Sequence, residues 1–197
     1  MHVISVWSPK GGVGKTTTAA HLSDCLSVQH NKRVIAYDAD PQKALFHTYQ
    51  RNGFAFDVLD TFPDKKPNCD FLVVDFRPSA ILTPEELSII KNSSVVVAPV
   101  RASRLDLDSA KAINSIADNS HIINVLSCYD KRVSDQKEVR EHLANDYSVI
   151  SYLSIYARTM NDFKTIFTRD SNKLHGTLRA RKEINIIANQ ILEICND

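Results

Sequence analysis

The chain has few cysteines, few glycines and no long hydrophobic run. Its 197 residues include four cysteines, at positions 25, 69, 128 and 195, and no C-x-x-C pair. This spacing disfavours a disulfide framework, a metal site and an iron–sulfur carrier, and it predicts a reduced, cytoplasmic protein. No stretch approaches the roughly 18 apolar residues of a membrane span. The first residues also lack the basic region and cleavage site of a secretory signal.

The chain also lacks an overall excess of charge. It has 24 Lys and Arg against 23 Asp and Glu, so its net charge is +1. This total gives no general electrostatic argument for a nucleic acid or membrane partner. The 43% hydrophobic and 24% charged residues exclude a disordered, collagen-like or coiled-coil chain. At this length we expect one domain, residues 1–197, with a core that needs no metal or disulfide.

Short apolar runs alternate with helical patterns along the chain. The predicted strands are His2–Trp7, Arg33–Tyr37, Phe71–Asp75, Ser94–Val100, Ile122–Ser127 and Val149–Leu153. The predicted helices are Lys15–Gln29, Gln42–Arg51, Pro84–Lys91, Leu107–Asp118, Asp135–Asn145, Met160–Thr168 and Leu178–Cys195. Several strands are continuous Val, Ile and Leu runs, which favours burial on both faces. The alternation predicts an α/β fold with a doubly wound, mostly parallel sheet flanked by helices.

Three of the five glycines fall between the first predicted strand and helix, in the phosphate loop (residues 8–17, S-P-K-G-G-V-G-K-T-T). A strand, a glycine-rich turn and a new helix form the setting of a phosphate site. Glycines let backbone N–H groups point at phosphate oxygens, and the helix adds its positive end. Lys15 is predicted to reach the β- and γ-phosphates, and the Thr16 hydroxyl to bind Mg²⁺. The predicted nucleotide-binding residues are Gly11, Gly12, Val13, Gly14, Lys15, Thr16 and Thr17.

The phosphate loop departs from the standard G-x-x-x-x-G-K-[ST] pattern. Pro9 stands where the first glycine would be, and Lys10 adds a lysine, giving K-G-G-x-G-K-T. This sequence resembles the deviant Walker A loop of the ParA/MinD family of P-loop ATPases. The resemblance implies a nucleotide-sandwich dimer in which Lys10 contacts the phosphates held by the partner subunit. A second cation there would stabilise charge on the transferring phosphoryl group.

Acidic residues follow two predicted strands. Residues 36–42, A-Y-D-A-D-P-Q, resemble the family's D-x-D-P-Q segment. The resemblance implies that Asp40 positions the attacking water and senses nucleotide, while Asp38 joins the Mg²⁺ shell or supports the loop. Asp75 ends the run F-L-V-V-D, the Walker B pattern in which a buried strand delivers a carboxylate to Mg²⁺ through water. The family's D-T/C-P-P continuation is replaced here by Phe76-Arg77-Pro78-Ser79, a departure in switch II.

Later segments extend the resemblance from about residue 2 to about residue 192. Residues 94–100 end in the proline–valine pair of the family's next strand, and L-D-L-D at 105–108 fills the following helix start. Residues 125–132 resemble the family's Y-D-x-R segment near the base. No guanine-specific N-K-x-D motif is present, so ATP is favoured over GTP.

Basic residues concentrate near the C-terminal end. Residues 158–182 hold seven basic and two acidic side chains. Such a patch can hold a DNA backbone without reading sequence, which the ParA resemblance implies for an ATP-bound dimer. The candidate DNA contacts are Arg179, Arg181, Lys182, Lys173 and Arg158. The alternative interpretation of residues 158–182 is a solvated charged face without a DNA partner. Arg101 and Arg104 form a second candidate basic surface.

The last predicted helix carries an isoleucine stripe at positions 184, 187, 191 and 194. This spacing predicts core packing. A membrane-binding amphipathic helix would carry cations along its polar face, whereas here the cations precede the stripe. We therefore expect no membrane partner.

Taken with the resemblance, these features predict a ParA-type DNA partition ATPase with ATP and Mg²⁺ as cofactors. The expected partners are a second copy of the chain, nonspecific DNA and a centromere-binding ParB-type protein that stimulates slow hydrolysis. The expected location is cytoplasmic and nucleoid-associated. Because the phosphate loop begins so early, no N-terminal DNA-reading domain is expected. The alternative is a ParA/MinD-like positioning or adaptor ATPase for a conjugative transfer complex, a septum regulator or a protein assembly.

Overall fold

Strands and helices alternate in the computed structural model, which describes residues 1–52, 54–103, 106–107, 113, 115–117, 120–143 and 147–196. The strands are β1 (His2–Val6), β2 (Val34–Asp38), β3 (Asp57–Leu59), β4 (Phe71–Asp75), β5 (Val95–Arg101), β6 (His121–Tyr129) and β7 (Ser148–Ser151). The helices are α1 (Lys15–Val28), α2 (Ala44–Asn52), α3 (Pro84–Lys91), α4 (Ser134–Leu143), α5 (Ser154–Asn161) and α6 (Thr177–Asn196), with a 3₁₀ helix at Arg169–Lys173.

The seven strands form one sheet in the order β3-β2-β4-β1-β5-β6-β7. Every neighbouring pair is parallel. The chain moves from β1 towards β2 on one side and later to β5 on the other, so the strand order reverses at β1. Ligands of such sheets bind at the carboxyl edge beside this reversal. The predicted fold class is confirmed.

Two apolar clusters fill the two faces of the sheet. Along β4, Val73 belongs to the cluster beneath α1 and α6, while Val74 belongs to the cluster beneath α3 and α4. Burial on both faces explains why the strand sequences read as continuous apolar runs. Ile184, Ile187 and Ile191 are fully buried in the first cluster, which confirms the predicted core role of the isoleucine stripe. Among the described residues, every helix is too short or too polar to cross a membrane.

The structure departs from the sequence predictions at two places, and a third prediction is untested over most of its length. Strand β3 was missed because its three residues are too few to show a pattern. The predicted helix Met160–Thr168 is wrong, because α5 ends at Asn161 and Phe163 takes a left-handed φ of 56°. Its apolar residues Ile166 and Phe167 lie in an irregular segment, and both side chains are buried. The predicted helix Leu107–Asp118 lies largely outside the described residues.

A buried polar cluster joins α1 to that irregular segment. His21 is fully buried; its Nδ1 accepts a hydrogen bond from the backbone N–H of Ile166 at 3.3 Å, and its Nε2 has no partner in the described chain. The Asp24 carboxylate accepts bonds from the Thr165 hydroxyl and from the Ala55 backbone N–H. These bonds hold the start of the C-terminal region against the helix that leaves the phosphate loop.

The buried histidine predicts a specific loss of stability in acid. Burial lowers the pKa of His21 from 6.5 to about 3, so between these values the unfolded chain binds a proton that the folded chain does not. The contribution of His21 to stability is therefore retained above pH 6.5 and falls below it, by up to about 1.4 kcal/mol per pH unit. His21→Asn keeps an acceptor for the Ile166 N–H and removes the titration. In urea unfolding, the free energy of unfolding should fall less between pH 6.5 and 4.5 in the variant than in wild type. Equal losses in the two proteins would contradict the role of His21.

Candidate functional site

The phosphate loop runs from the carboxyl end of β1 into α1, as the sequence predicts. Gly12 and Gly14 adopt φ angles of 69° and 87°, a left-handed conformation that strains residues with a side chain. Gly14 is the N-cap of α1, and Thr16 and Thr17 follow in the first helical turn. The loop therefore presents backbone N–H groups and a helix N-terminus at the carboxyl edge of the sheet.

Lys15 is buried inside the loop, with 6% of its surface exposed. Its ammonium donates a hydrogen bond to the backbone carbonyl of Lys10 at 2.7 Å. Burial lowers the pKa of Lys15, and the charges of Asp75 and Asp40 oppose this shift. The structure thus brings Lys15 and the two acids together. A phosphate group entering the loop could replace the carbonyl as the partner of this ammonium.

Asp75 ends β4 with 1% of its surface exposed, and neither carboxylate oxygen has a hydrogen-bond partner among the described residues. Burial raises its pKa to about 8, against the opposing effects of the Thr16 side chain and Lys15. Unpartnered buried oxygens are costly, and they suit a hydrated cation. No group of three or more His, Cys, Asp or Glu in the described chain could hold a metal alone. Mg²⁺ at a nucleotide needs only one or two protein ligands beside phosphate, so Thr16 and Asp75 fit it.

Asp38 and Asp40 occupy different environments after β2. The fully buried Asp38 carboxylate accepts hydrogen bonds from the backbone N–H groups of Asp40 and Phe46, at 3.1 and 3.0 Å. These contacts favour its role in supporting the loop. Asp40 accepts a bond from the Gln42 N–H at 2.9 Å and is partly exposed. Asp40 is thus the acid better placed to meet a water molecule.

Lys10 forms an ion pair with Asp106 of the same subunit. The Lys10 side chain is 41% exposed, and that of Asp106 is 13% exposed. The Ser103 hydroxyl donates to the other Asp106 oxygen at 2.8 Å. The sequence showed Asp106 only within the L-D-L-D segment, because no local pattern connects it to Lys10. To contact another subunit's phosphates, Lys10 must leave this partner.

The unusual switch II segment is anchored to α3. Arg77 donates two hydrogen bonds to the Glu86 carboxylate, at 2.7 and 3.0 Å. Glu86 and Thr83 also form a capping box at the start of α3, which confirms the predicted helix start. The residues that depart from the family pattern therefore tie the loop after Asp75 to a helix N-terminus.

A family model of the CobQ/CobB/MinD/ParA nucleotide binding domain matches residues 4–143. The chain belongs to this family. The Maintenance of carboxysome distribution protein A of Gloeobacter kilaueensis is 33% identical over 113 residues, 53% of this chain and 51% of that protein. The chain spans about half the length or less of the curated relatives it matches.

Solved structures share the fold of this ParA/MinD chain. A plasmid partition protein from Borrelia burgdorferi has a TM-score of 0.62 at 17% identity, covering 88% of this chain and 99% of its own. The septum site-determining protein MinD from Pyrococcus horikoshii, complexed with Mg-ADP, has a TM-score of 0.69 at 16% identity, covering 94% and 95%. These structures show the shared fold, and the match to the family model confirms the sequence prediction of a ParA/MinD family member.

The five candidate DNA contacts of this ParA/MinD chain separate into exposed and engaged side chains. Arg158, Lys173 and Lys182 are exposed and make no side-chain hydrogen bond or ion pair in the described chain. Arg181 instead donates to the Ile166 carbonyl at 2.7 Å and covers the Phe167 ring. Its contacts indicate a structural role.

Arg179 lies at the carboxyl edge of the sheet. Its guanidinium bonds to Glu183 at 3.0 Å and to the Ser151 hydroxyl at 2.6 Å. Because Ser151 ends β7, the first turn of α6 lies at the same carboxyl edge as the phosphate loop. One basic residue outside the candidates, Lys164, is ion-paired with Asp170 at 3.2 Å.

Arg101, one of the two residues of the second candidate basic surface, is exposed and contacts the phosphate loop. It ends β5, and its guanidinium donates to the backbone carbonyl of Gly12 at 2.7 Å. Its proposed companion in a second basic surface, Arg104, lies outside the described residues. The structure therefore places Arg101 on the phosphate loop.

Proposed function

We propose that this chain is the ATPase of a DNA partition system. It binds ATP with Mg²⁺, dimerises on ATP, holds nonspecific DNA across the nucleoid, and hydrolyses ATP slowly until a centromere-binding ParB-type partner stimulates it. The observation that carries the proposal is Lys10: a second lysine on the phosphate loop, exposed and held by one ion pair. Lys10 is not needed to bind the phosphates of its own subunit, because Lys15 already lies inside the loop.

The residues of the site divide the work of phosphoryl transfer. The N–H groups of residues 11–17 and the Lys15 ammonium bind the β- and γ-phosphates. Thr16 and Asp75 would hold Mg²⁺, and the bound ion would neutralise charge on the phosphate oxygens. Asp75 must lose its proton to do so, because burial gives it a pKa of about 8. Asp40 orients the attacking water, and Lys10 of the other subunit stabilises the developing charge.

DNA binding rests on the exposed cations between residues 158 and 182. Lys173, Lys182 and Arg158 contact backbone phosphates, and Arg179 adds to the positive field. Closing two subunits on ATP doubles this surface, so affinity rises steeply with dimerisation. The chain 1–197 acts as one ATPase domain in this cycle.

The DNA surface can be tested with the double variant K173Q/K182Q, which removes two positive charges. At constant salt it should bind nonspecific DNA about 10-fold more weakly in ATP, with a shallower salt dependence, because phosphate contacts are lost. The matched control is K65Q/K66Q, two exposed lysines in the loop before β4. Filter binding with ATP, ADP and no nucleotide measures all three proteins. Equal weakening in the control, or a wild type that binds DNA equally without nucleotide, would contradict the proposal.

A second candidate function is ATP-driven positioning of a protein assembly. It is favoured by the 33% identity, over 113 residues, to a carboxysome distribution protein. The two candidates differ in what is lost without the gene. Deletion raises plasmid or origin loss if the chain partitions DNA, whereas it disperses a protein assembly and leaves DNA inheritance intact if the chain positions that assembly.

A further inference from the structure

Arg101 is an exposed arginine that the nucleotide machinery described so far does not use. We infer that Arg101 is a positioning residue of the phosphate loop, which holds the loop in its phosphate-binding shape through the carbonyl of Gly12. The inference rests on nucleotide binding at this loop, the first step of the proposed function. It removes Arg101 from the candidate DNA surface.

Strand register explains how Arg101 reaches the loop. β1 and β5 are parallel neighbours, with Val6 opposite Val97. The chain leaves β1 after Val6 to form the phosphate loop, while β5 continues alongside it to Arg101. The Arg101 side chain thus emerges level with the loop, and its Nη2 lies 2.7 Å from the Gly12 oxygen. A Cβ built on Gly12 would lie 3.5 Å from the same nitrogen, so the guanidinium packs directly against this glycine.

The loop needs such an anchor because glycine-rich backbone is costly to order. Gly12 and Gly14 both hold left-handed φ angles, and glycine loses more freedom on ordering than any other residue. Without nucleotide, two cations bind loop carbonyls: Lys15 at the Lys10 oxygen and Arg101 at the Gly12 oxygen. When Lys15 turns to phosphate, the first bond is lost. The Arg101 bond uses a carbonyl rather than a phosphate-binding N–H, so it persists in the bound state.

This role differs measurably from a charge effect on the phosphates. A guanidinium acting as a charge would favour ATP over ADP and weaken with salt. A guanidinium that orders the loop affects both nucleotides equally, because both use the same N–H groups. Loss of such a guanidinium also lowers nucleotide affinity more than it lowers the turnover rate of the bound complex, since the bound nucleotide itself orders the loop.

The test compares R101M, which removes every donor at similar length, with R101K, which keeps a cationic donor. The control is R33M, since Arg33 is also an exposed arginine with side-chain hydrogen bonds, to Asn68 and Asp70. Titration with fluorescent ADP and a nonhydrolysable ATP analogue at low and high salt should show both affinities falling about 5- to 10-fold in R101M, partial recovery in R101K and no change in R33M. In ATP turnover, KM should rise in R101M while kcat stays within about twofold.

Wild-type affinity in R101M, a loss confined to the ATP analogue, or a loss that disappears at high salt would overturn the inference. In each of these cases the wild type still binds nucleotide, and the proposed function stands. A wild type that binds neither nucleotide would overturn the proposed function itself and the inference with it. Thermal unfolding without nucleotide should give R101M and R33M similar melting temperatures, which separates loop ordering from a general loss of stability.

Discussion

Replacing Lys10 with alanine is expected to lower ATP turnover by about 100-fold or more while ADP affinity stays within about threefold of wild type. The two effects separate because Lys15 and the loop N–H groups bind the nucleotide of their own subunit, whereas Lys10 points away to Asp106. Only a closed dimer would bring Lys10 to a transferring phosphoryl group. Its removal should therefore leave binding and remove both the dimer and the chemistry.

The matched variant for Lys10→Ala is Asp106→Asn. It weakens the ion pair that holds Lys10 in its own subunit and leaves the lysine in place. Asp106→Asn should dimerise with a nonhydrolysable ATP analogue at a protein concentration equal to or below that of wild type. Titration with fluorescent ADP measures the nucleotide affinity of Lys10→Ala, and steady-state kinetics measure its ATP turnover. Wild-type turnover in Lys10→Ala would remove the proposed role of this lysine.

Replacing Asp75 with asparagine is expected to stabilise the nucleotide-free protein and to weaken Mg²⁺-dependent nucleotide binding by about 100-fold. The substitution keeps the shape of the side chain and removes a buried carboxyl group whose oxygens have no hydrogen-bond partner among the described residues. Burial raises the pKa of Asp75 from 3.8 to about 8. Between these values the folded chain holds a proton that the unfolded chain has lost. The contribution of Asp75 to stability is thus greatest below about pH 4 and is lost as pH rises towards 8, by up to about 1.4 kcal/mol per pH unit.

Thermal unfolding in the presence of a metal chelator, at pH 6 and pH 8, measures the gain in stability that Asp75→Asn is expected to give. The melting temperature of Asp75→Asn should exceed that of wild type by a wider margin at pH 8. The control is Asp70→Asn, at the other end of β4, where the side chain is 40% exposed and pairs with Arg33. That variant should leave Mg²⁺-dependent nucleotide affinity unchanged. If Asp75→Asn has the pH slope of wild type, or keeps its full affinity for nucleotide with Mg²⁺, the assignment of Asp75 fails.

The phosphate loop and the acid at the end of β4 could be predicted because their signals are local. The strand, the glycine run and the helix start of the phosphate loop are adjacent in the sequence. The strand that ends at Asp75 is recognised by its continuous run of apolar residues. Asp106 and the Gly12 contact of Arg101 could not be found in this way. Both depend on the register of β5 against β1, which brings together residues 96 and 89 positions apart.

Charge pattern predicted a basic cluster and could not tell which cations face solvent. Arg181 and Lys182 are neighbours in sequence, yet the first bonds to the Ile166 carbonyl and the second is exposed. The difference arises because α6 turns successive residues about 100° apart, towards the core segment or away from it. The predicted helix at residues 160–168 is wrong because the chain leaves the helical conformation after Asn161, where Phe163 takes a left-handed φ of 56°.

Sedimentation velocity with a nonspecific DNA fragment tests the central claim most directly. The protein is run with ADP, with ATP and with a nonhydrolysable ATP analogue, each with and without the DNA. The proposed cycle predicts a monomer that ignores DNA in ADP, and a dimer that migrates with DNA in the ATP analogue. A protein that stays monomeric in the analogue, or that migrates equally with DNA in ADP, would contradict it.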